Sequence, residues 1–244
     1  MSNRKIIIAA AVLLLLASPA YALKTVVSLG ANLGLAPDMG GNLRSGFQEN
    51  VLGVSNGIDG INRSMDGADT EKINKLLGAC GGIDFKVVFA TYFLFRMQAN
   101  FAMNFFGGRG ASLDQAENEL KAEYSLWIVD IPFMLGASIP FGNIVRISLC
   151  GGMAFAYGSY SNSFKSSAVS GGATFDGWTF PWVIMLTGEY FFREDIAITA
   201  TLGYYNGATD TIKSGSDYSK IDFAGFRLNI GFSYYFVNIG RKGT

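Results

Sequence analysis

Seven charged side chains recur on the small, polar side of segments in which apolar and polar residues alternate: Asp84, Lys86, Arg96, Asp130, Arg146, Glu189 and Arg227. In strands, such residues would all face one common interior. Counted from the nearest short turn, four are predicted at a similar depth with balanced charges, namely Asp84, Lys86, Asp130 and Arg227, and the other three nearer that turn. Because buried charges must be paired or hydrated, the pattern predicts either a salt-bridge plug or a gated aqueous path.

Histidine is absent from the chain, which limits the chemistry that these side chains could perform. Catalysis by a Ser-His-Asp triad and most zinc sites lose a required base or ligand. An enzyme would need a carboxylate or lysine mechanism instead. The acidic residues within 36–81 match no calcium-loop spacing, so solvated carboxylates are favoured over a cation site. We therefore expect no enzymatic activity, no metal site and no cofactor.

The two cysteines leave two interpretations open. Cys80 lies at the outer end of the second predicted strand, and Cys150 lies on the inward face of the fifth. In an exported protein the pair could form a disulfide across the top of the interior. The simpler interpretation is that Cys150, which precedes Gly151 and Gly152, is a small filler residue.

The first residues have the features of a cleaved export signal. Two basic residues precede an apolar stretch over 6–17, and Ala20 and Ala22 are the small residues after which a signal peptidase cuts. The apolar stretch is too short to span a bilayer as a helix. We expect removal of residues 1–22 and a mature protein that begins at Leu23.

Composition excludes nucleic acid as a partner. Half of the residues are hydrophobic and only 16% are charged, with 19 basic and 19 acidic side chains. Removing Arg4 and Lys5 with the signal leaves 17 basic against 19 acidic side chains, a net charge of −2. No basic surface is therefore expected for a phosphate backbone.

The segment 221–236 shows the clearest alternation in the chain. Every even position after Ala224 is apolar as far as Phe236, whereas the odd positions from Gly225 to Ser233 are small or polar. One face of this predicted strand therefore favours hydrocarbon or a core, and the other favours water or tight packing.

Seven further segments alternate in the same way, which gives eight predicted strands: 24–35, 82–92, 96–106, 123–139, 144–158, 178–190, 195–205 and 221–236. Three short links, around 92–95, 140–143 and 191–194, predict hairpin turns. The other links are longer and rich in Gly, Ser, Asn and Asp: 36–81, 107–122, 159–177 and 206–220. Short turns at one rim and long loops at the other are typical of transmembrane β-barrels.

Alternation alone leaves open which face is inside, because a soluble lipocalin-like barrel places bulky residues inward and charges outward. Here the polar faces hold mostly Gly, Ala, Ser, Thr and Asn, which suit a narrow interior better than a solvent surface. We therefore predict an all-β, eight-stranded antiparallel up-and-down transmembrane β-barrel over 23–236, with a short tail over 237–244. Eight strands enclose barely enough room for side chains, which favours the salt-bridge plug over the aqueous path.

The end of the last strand carries a family resemblance. Asn229, Gly231, Tyr234 and Phe236 resemble the polar-x-Gly-x-x-aromatic-x-aromatic signal that closes bacterial outer-membrane barrels. From about residue 25 to 236 the chain is similar to the small barrels of the OmpA, OmpX and OmpW type. The resemblance implies an outer-membrane location, periplasmic short turns, extracellular long loops and recognition by the barrel-assembly machinery. The tail over 237–244 and the large first loop depart from this family.

Function is expected in the long loops. Two short helices are predicted to pack over the barrel mouth, at 70–77 and 112–120. The favoured function is a membrane anchor for surface-exposed loops that bind an extracellular ligand or host factor, with outer-membrane lipid as the surroundings. The alternatives are a narrow channel for small solutes or small hydrophobic compounds and a soluble lipocalin-like carrier.

Overall fold

The computed structural model describes residues 25–37, 70–71, 77–106, 109–113, 119–165, 170–210, 212–214, 217–219, 221 and 223–236. The predicted signal peptide with Ala20 and Ala22 and the predicted tail over 237–244 lie outside these residues. No helix within the described ranges has the length and apolar character needed to cross a membrane.

The described residues form thirteen strands: β1 (Val26–Ala36), β2 (Thr70–Glu71), β3 (Leu77–Phe89), β4 (Phe93–Phe106), β5 (Arg109–Leu113), β6 (Glu119–Phe141), β7 (Val145–Lys165), β8 (Ser170–Thr179), β9 (Trp182–Arg193), β10 (Ile196–Asn206), β11 (Ile212–Ser214), β12 (Asp217–Ser219) and β13 (Gly225–Phe236). Tight turns at 90–92, 142–144 and 194–195 join strands at one end, here called the turn rim. The opposite end is called the loop rim.

Eight of the strands form a closed barrel. Neighbours pair antiparallel in the order β1-β3-β4-β6-β7-β9-β10-β13, and β13 returns to β1, where Phe236 lies opposite Val27. Strands β5 and β8 prolong the wall toward the loop rim by pairing with β6 and β7. The prediction of an eight-stranded antiparallel barrel is confirmed.

The outward face of the barrel is apolar. On β13, the even-numbered residues from Phe226 to Phe236 are exposed, and the odd-numbered residues from Arg227 to Tyr235 are buried. Leu33 and Leu135 leave 78% and 70% of their surfaces exposed. Such a surface matches lipid rather than water, and the outward run on β13 covers the roughly 9–11 residues that a tilted strand needs to cross a bilayer. The barrel is therefore of the transmembrane kind.

Aromatic side chains mark both ends of this apolar belt. Near the loop rim, the ring centroids of Trp127 and Tyr157 lie 5.6 Å apart, and those of Trp182 and Tyr204 lie 5.4 Å apart. At the turn rim, the outward aromatic residues include Tyr92, Phe93, Phe141, Tyr190 and Phe192. Tryptophan and tyrosine are favoured at the boundary between hydrocarbon and water, so the two girdles indicate where the membrane begins and ends.

Two predicted loops are largely strand instead. Within 159–177, β7 continues to Lys165 and β8 begins at Ser170; within 107–122, β5 and the start of β6 occupy most of the segment. These extensions lie beyond the apolar belt, where outward residues such as Ser163 and Thr174 are polar. They therefore lack the apolar alternation that identifies a strand in lipid.

The predicted helices at 70–77 and 112–120 are wrong where the structure describes them. Thr70 and Glu71 pair with Ser112 and Ala111 as strands β2 and β5, and Leu77 begins β3. A helix of two turns is marginal by itself, whereas β6 offers β5 a long ladder of backbone hydrogen bonds. Residues 72–76 and 114–118 lie outside the described part of the chain.

Two further boundaries differ from the prediction. The sixth predicted strand, 178–190, is interrupted at Phe180 and Pro181, because proline has no N–H for a ladder. The first hairpin turns at 90–92 rather than 92–95, and Ala90 and Thr91 adopt positive φ angles of 48° and 70°. Side chains that carry a Cβ rarely adopt such angles, so this turn is strained.

Candidate functional site

The inward charges occupy the barrel lumen in two clusters. The rim cluster, nearer the turn rim, consists of Asp84, Lys86, Arg96 and Glu189; the central cluster, nearer the loop rim, contains Asp130 and Arg227. The alternation of β3, β4, β6, β9 and β13 points all of these side chains inward. Each cluster contains equal numbers of acidic and basic side chains.

Arg96 and Asp84 form the best-defined ion pair of the rim cluster. The Arg96 Nε donates to Asp84 Oδ1 at 2.9 Å, and Nη2 donates to Asp84 Oδ2 at 2.9 Å. The same guanidinium also donates to the hydroxyls of Thr187 and Thr201. A bidentate pair of this kind fixes the orientation of both groups, and four inward side chains from four different strands are tied together.

Lys86 joins the two acids of the rim cluster. Its ammonium forms an ion pair with Glu189, lies 3.6 Å from Asp84 Oδ2, and donates to Ser233 Oγ at 3.0 Å. The second oxygen of Glu189 accepts a hydrogen bond from the Tyr235 hydroxyl at 2.7 Å. Both oxygens of Glu189 are therefore engaged by other residues of the lumen.

The central cluster is built around Asp130, which is fully buried. Arg227 pairs with Asp130 Oδ2, while Oδ1 accepts hydrogen bonds from Asn100 Nδ2 at 2.9 Å and the Tyr205 hydroxyl at 3.3 Å. The Arg227 guanidinium also lies 3.9 Å from the centroid of the Tyr205 ring. A buried pair is stable only when its remaining polar atoms are bonded, and Asn100 and Tyr205 supply these bonds.

The predicted grouping by depth is wrong. Asp84 and Lys86 were expected beside the central pair, but they bind Arg96 and Glu189 in the rim cluster. The reason is stagger: Arg96 lies directly opposite Lys86 in the β3–β4 register, and its long side chain reaches along the lumen to Asp84. Counting residues from a turn ignores strand tilt and side-chain reach.

Arg146 is the one member of the predicted set that forms no ion pair within the described residues. Its guanidinium carbon lies 5.4 Å from the ring centroid of Phe191 and 5.4 Å from that of Tyr235, close to the turn rim. Its Nε and Nη1 atoms are buried and have no hydrogen-bond partner among the described residues. The structure thus brings six of the seven predicted residues into ion pairs and leaves Arg146 stacked on aromatic rings.

An apolar layer lies between the central cluster and the loop rim. Ten buried residues form it: Ala36, Cys80, Ala102, Leu126, Ile128, Ala156, Tyr160, Phe175, Ile221 and Phe223. The inward face of β6 shows the change directly, since Asp130 is followed toward the loop rim by Ile128 and Leu126. The prediction of a polar interior therefore holds for only part of the lumen.

Ile221 and Phe223 enter this layer from the segment before β13 rather than from a barrel strand. Backbone hydrogen bonds from Thr209 N to Ile221 O, at 2.9 Å, and from Phe223 N to Gly207 O, at 2.8 Å, hold the segment as a short ladder. The Thr209 hydroxyl accepts a further bond from Ile221 N at 2.9 Å. The link after β10 thus folds back into the barrel mouth and fills it.

A signal for these two residues exists in the sequence. On the last predicted strand the odd positions are small or polar from Gly225 to Ser233, yet Ile221 and Phe223 are odd and apolar. The parity changes at Gly225, whose φ of 149° interrupts regular strand geometry. A strand that exchanges its apolar face at a glycine indicates that the residues before the glycine leave the barrel wall.

The cysteines are both free and buried. Cys80 Sγ donates to Asn229 Oδ1 at 2.9 Å. Cys150 Sγ lies 3.7 Å from Met134 Sδ, in a second buried apolar group nearer the turn rim. Of the two interpretations, small filler residues match this arrangement, because each thiol has its own set of neighbours.

The predicted assembly-signal residues lie at the seam where β13 closes on β1. Tyr234 and Phe236 face outward with their rings 5.1 Å apart, and Asn229 faces inward. A Cβ added at Gly231 would lie 2.9 Å from the Asn32 Cα of β1, which is closer than real Cβ contacts. Glycine at this position therefore permits the close approach of the first and last strands, β1 and β13.

Taken in order from the turn rim, the lumen contains a stacked arginine, two ion-pair clusters and an apolar layer. Lys86, Arg96, Asp130, Leu126 and Ile221 are each at most 2% exposed. Side chains bonded to one another cannot replace the hydration shell of a passing ion, and an apolar constriction excludes water. This arrangement can seal the barrel.

No protein-family model matches the chain, and a search of curated proteins gives no match. Among solved structures, the chain is similar to the outer membrane protein OprG from Pseudomonas aeruginosa, with a TM-score of 0.49 and 12% identity over 87% of this chain and 95% of that one. It is also similar to Neisserial surface protein A (TM-score 0.41, 8% identity, 88% and 100% of the chains). A third similarity is to Ail of Yersinia pestis (TM-score 0.35, 14% identity, 87% and 97%). The strand pairing and the apolar exterior establish the barrel independently of these similarities.

Proposed function

We propose that this chain is an integral outer-membrane β-barrel protein that anchors surface-exposed loops and does not conduct through its lumen. The observation that carries the proposal is the filling of the lumen by the two ion-pair clusters and the apolar layer. A rigid, filled barrel is suited to holding loops in a fixed arrangement, since catalytic and binding residues commonly lie on loops over a rigid scaffold. The proposal assigns no catalytic role to any residue.

The outer-membrane location is supported by the closed barrel and its apolar belt. Bacterial barrels with short turns at one rim are found in the outer membrane with these turns in the periplasm. The alternation at the end of β13 and the close seam at Gly231 fit a chain inserted by the barrel-assembly machinery. Outer-membrane lipid would then surround the belt, and the loop rim would face outward from the cell.

The strands at the loop rim support a role in surface contact. Strands β6 and β7 have 23 and 21 residues, about twice the length needed to cross a bilayer. Beyond Trp127 and Tyr157 the outward residues become polar, among them Ser125, Ser163 and Thr174. This polar wall would stand above the membrane and position the loops for an extracellular ligand or host factor.

Labelling of single cysteines on intact cells tests the orientation. Ser163→Cys lies on the polar wall and Glu194→Cys in a tight turn, and both native positions are exposed, whereas Cys80 and Cys150 are buried and give little background. A membrane-impermeant maleimide should label Ser163→Cys on intact cells and Glu194→Cys only after the outer membrane is permeabilised. The reverse pattern would contradict the proposed location of the loops.

A second function, a narrow passage for small hydrophobic compounds, is favoured by one observation. The apolar layer places Tyr160 and Phe175 with ring centroids 6.0 Å apart, in the same buried cluster as Phe223. If the segment carrying Phe223 moved outward, an apolar molecule would find matching walls. Uptake of a hydrophobic dye into liposomes, faster with the Phe223→Ala protein than with the wild type, would favour this function over the anchor.

A further inference from the structure

The link after β10 is itself a small β-hairpin. Its two arms are paired, since Thr209 N donates to Ile221 O, Phe223 N donates to Gly207 O, and β11 pairs with β12 near the tip. The described residues of 207–223 are here called the lid hairpin. Because the two arms satisfy each other's backbone groups, the hairpin can keep its shape when its position relative to the barrel changes.

The lid hairpin leaves the barrel wall at a single level. The ladder between β9 and β10 ends where Trp182 lies opposite Asn206, and the next wall residue, Pro181, has no N–H with which to extend it. The ladder between β10 and β13 ends at Gly225, whose φ of 149° favours glycine. A Cβ added at Gly207 would lie 2.7 Å from the Pro181 Cα, so the first arm passes close to this proline. Gly207 and Gly225 therefore mark a hinge, with one glycine in each arm.

Beyond this hinge, no backbone ladder joins the lid hairpin to the wall within the described ranges. Strand β8 pairs with β7, and β11 pairs with β12 in a separate two-stranded sheet. A side-chain hydrogen bond fastens the hairpin to β8, because the Thr179 hydroxyl donates to the Ala208 carbonyl at 2.8 Å. Outward movement of the hairpin would break side-chain contacts of this kind and leave the ladders of the barrel intact.

Two inward glycines of the wall receive the side chains of the lid hairpin. Gly158 of β7 lies directly opposite Gly177 of β8. A Cβ added at Gly177 would lie 2.5 Å from Ile212 Cδ1, and one added at Gly158 would lie 3.2 Å from Phe223 Cζ. Ile212 therefore occupies the space that a larger residue at position 177 would need. The hairpin packs against a part of the wall that has no side chains of its own.

We infer that the lid hairpin is a movable lid that turns as a unit about Gly207 and Gly225 and controls access from the loop rim to the apolar layer. In the closed state Ile221 and Phe223 are 0% and 3% exposed within that layer. In the open state the layer would face the aqueous side of the loop rim. The two ion-pair clusters would stay in place, because none of their residues belongs to the hairpin. The lid thus goes beyond the proposed anchor function without requiring a conducting lumen.

Thiol accessibility of residues 23–244, refolded in zwitterionic detergent micelles, measures the opening. Two separate variants, Ile221→Cys and Thr209→Cys, each place a reporter thiol at a buried position in one arm of the hairpin. Both carry Cys80→Ala, which removes the native thiol of the apolar layer, and retain Cys150, which is buried nearer the turn rim and reports unfolding of the barrel. A water-soluble maleimide is added, and the modified cysteine is identified by peptide mass spectrometry. We expect both reporters to react while Cys150 stays unmodified.

Gly177→Val should raise the reaction rate of both reporters at least about tenfold. The added side chain takes the space of Ile212 Cδ1 and so disfavours the closed state. When reclosing is fast, the reaction rate of a protected thiol follows the population of the open state. Gly188→Val is the matched control, since a Cβ added at this β9 glycine has no atom within 4 Å, and it should leave both rates unchanged.

Thr179→Val tests whether the two arms move together. The substitution keeps the shape of the side chain but removes the hydroxyl that bonds to the Ala208 carbonyl. Loss of one such hydrogen bond should raise the reaction rate about three- to tenfold, and by the same factor at Ile221→Cys and Thr209→Cys. If Gly177→Val does not refold, Thr179→Val provides the comparison with Gly188→Val.

The reporters also define the results that overturn the lid. Reaction of Cys150 as fast as the reporters would show that the whole barrel opens. A response of one reporter without the other to Thr179→Val or Gly177→Val would show that a single arm frays. Absence of reaction at both reporters, in the wild-type background and in Gly177→Val alike, would show that the hairpin is a fixed plug.

Discussion

The two halves of the lumen are filled in different ways. Toward the turn rim, side chains from the barrel strands themselves meet across the interior as ion pairs, as Arg96 of β4 does with Asp84 of β3. Toward the loop rim, the filling is apolar and includes Ile221 and Phe223, which come from a link between strands. The first half is therefore sealed by the wall and the second partly by a loop.

Because of this difference, the two halves contribute differently to the stability of the barrel and to the closure of the lumen. Ion pairs between strands stabilise the barrel as a whole, because breaking one leaves a charge without its partner inside the wall. A loop-borne plug can leave its site by local unfolding while the strands remain paired. Substitutions in the two halves should consequently change different measured quantities.

The largest effect is expected from Arg227→Ala in the central cluster. The substitution leaves Asp130, which is fully buried, without its cationic partner. Loss of one member of a buried pair costs about 3–5 kcal/mol. The free energy of unfolding, measured by urea titration of the refolded barrel in liposomes, should fall by this amount.

Arg193→Ala is the matched control for that prediction. Arg193 pairs with Asp195 at 3.2 Å, but it lies outside the lumen with 65% of its side chain exposed. Exposed pairs contribute less than about 1 kcal/mol. Equal losses from Arg227→Ala and Arg193→Ala would show that the central pair does not stabilise the barrel.

Phe223→Ala should act on the loop more than on the barrel. Removal of the buried ring weakens docking of the 207–224 segment by up to about 3 kcal/mol. Trypsin cleavage after Lys213 or Lys220, both in this segment, should accelerate at least about tenfold, while the urea midpoint of the strands changes little. Phe226→Ala, which removes an outward ring three residues later, should leave cleavage unchanged. A shift of the urea midpoint without faster cleavage would contradict a loop-borne plug.

The smallest effect is expected at the first hairpin turn, which sets the register between Lys86 and Arg96. Ala90 has a φ of 48°, and relief of this strain in Ala90→Gly should stabilise the barrel by up to about 1 kcal/mol. Gly142→Ala, at a φ of 65° with no neighbouring atom within 4 Å, should have the opposite sign. Both are measured by urea titration, and a destabilising Ala90→Gly would show that the turn is not strained.

The sequence alone predicts the barrel strands and the direction of the inward charges, because a period of two is set by local backbone geometry. Arg227, Asp130 and Glu189 all lie on the face that alternation assigns to them. The partners of these charges could not be predicted, since they depend on strand stagger and on how far each side chain reaches. Arg96, for example, binds Asp84 rather than a residue of its own predicted depth.

The apolar layer, in the half of the lumen nearer the loop rim, could not be predicted from the sequence for a different reason. Tyr160 and Phe175 lie on strands that extend beyond the membrane, where outward residues are polar and the pattern of a strand in lipid is lost. Ile221 and Phe223 lie in the segment preceding Gly225, and only the change in parity indicates that they turn inward. Alternation that reflects lipid on one face of a strand no longer identifies the strand where lipid gives way to water.

Single-channel recording of residues 23–244, refolded into a planar bilayer, tests the sealed lumen most directly. Circular dichroism must first show that the wild-type protein is folded as β-sheet. The account predicts no discrete openings from the wild type, because both halves of the lumen are filled. Discrete wild-type openings whose conductance changes in the Arg227→Ala protein would contradict it, since the ion pairs would then line an open pore.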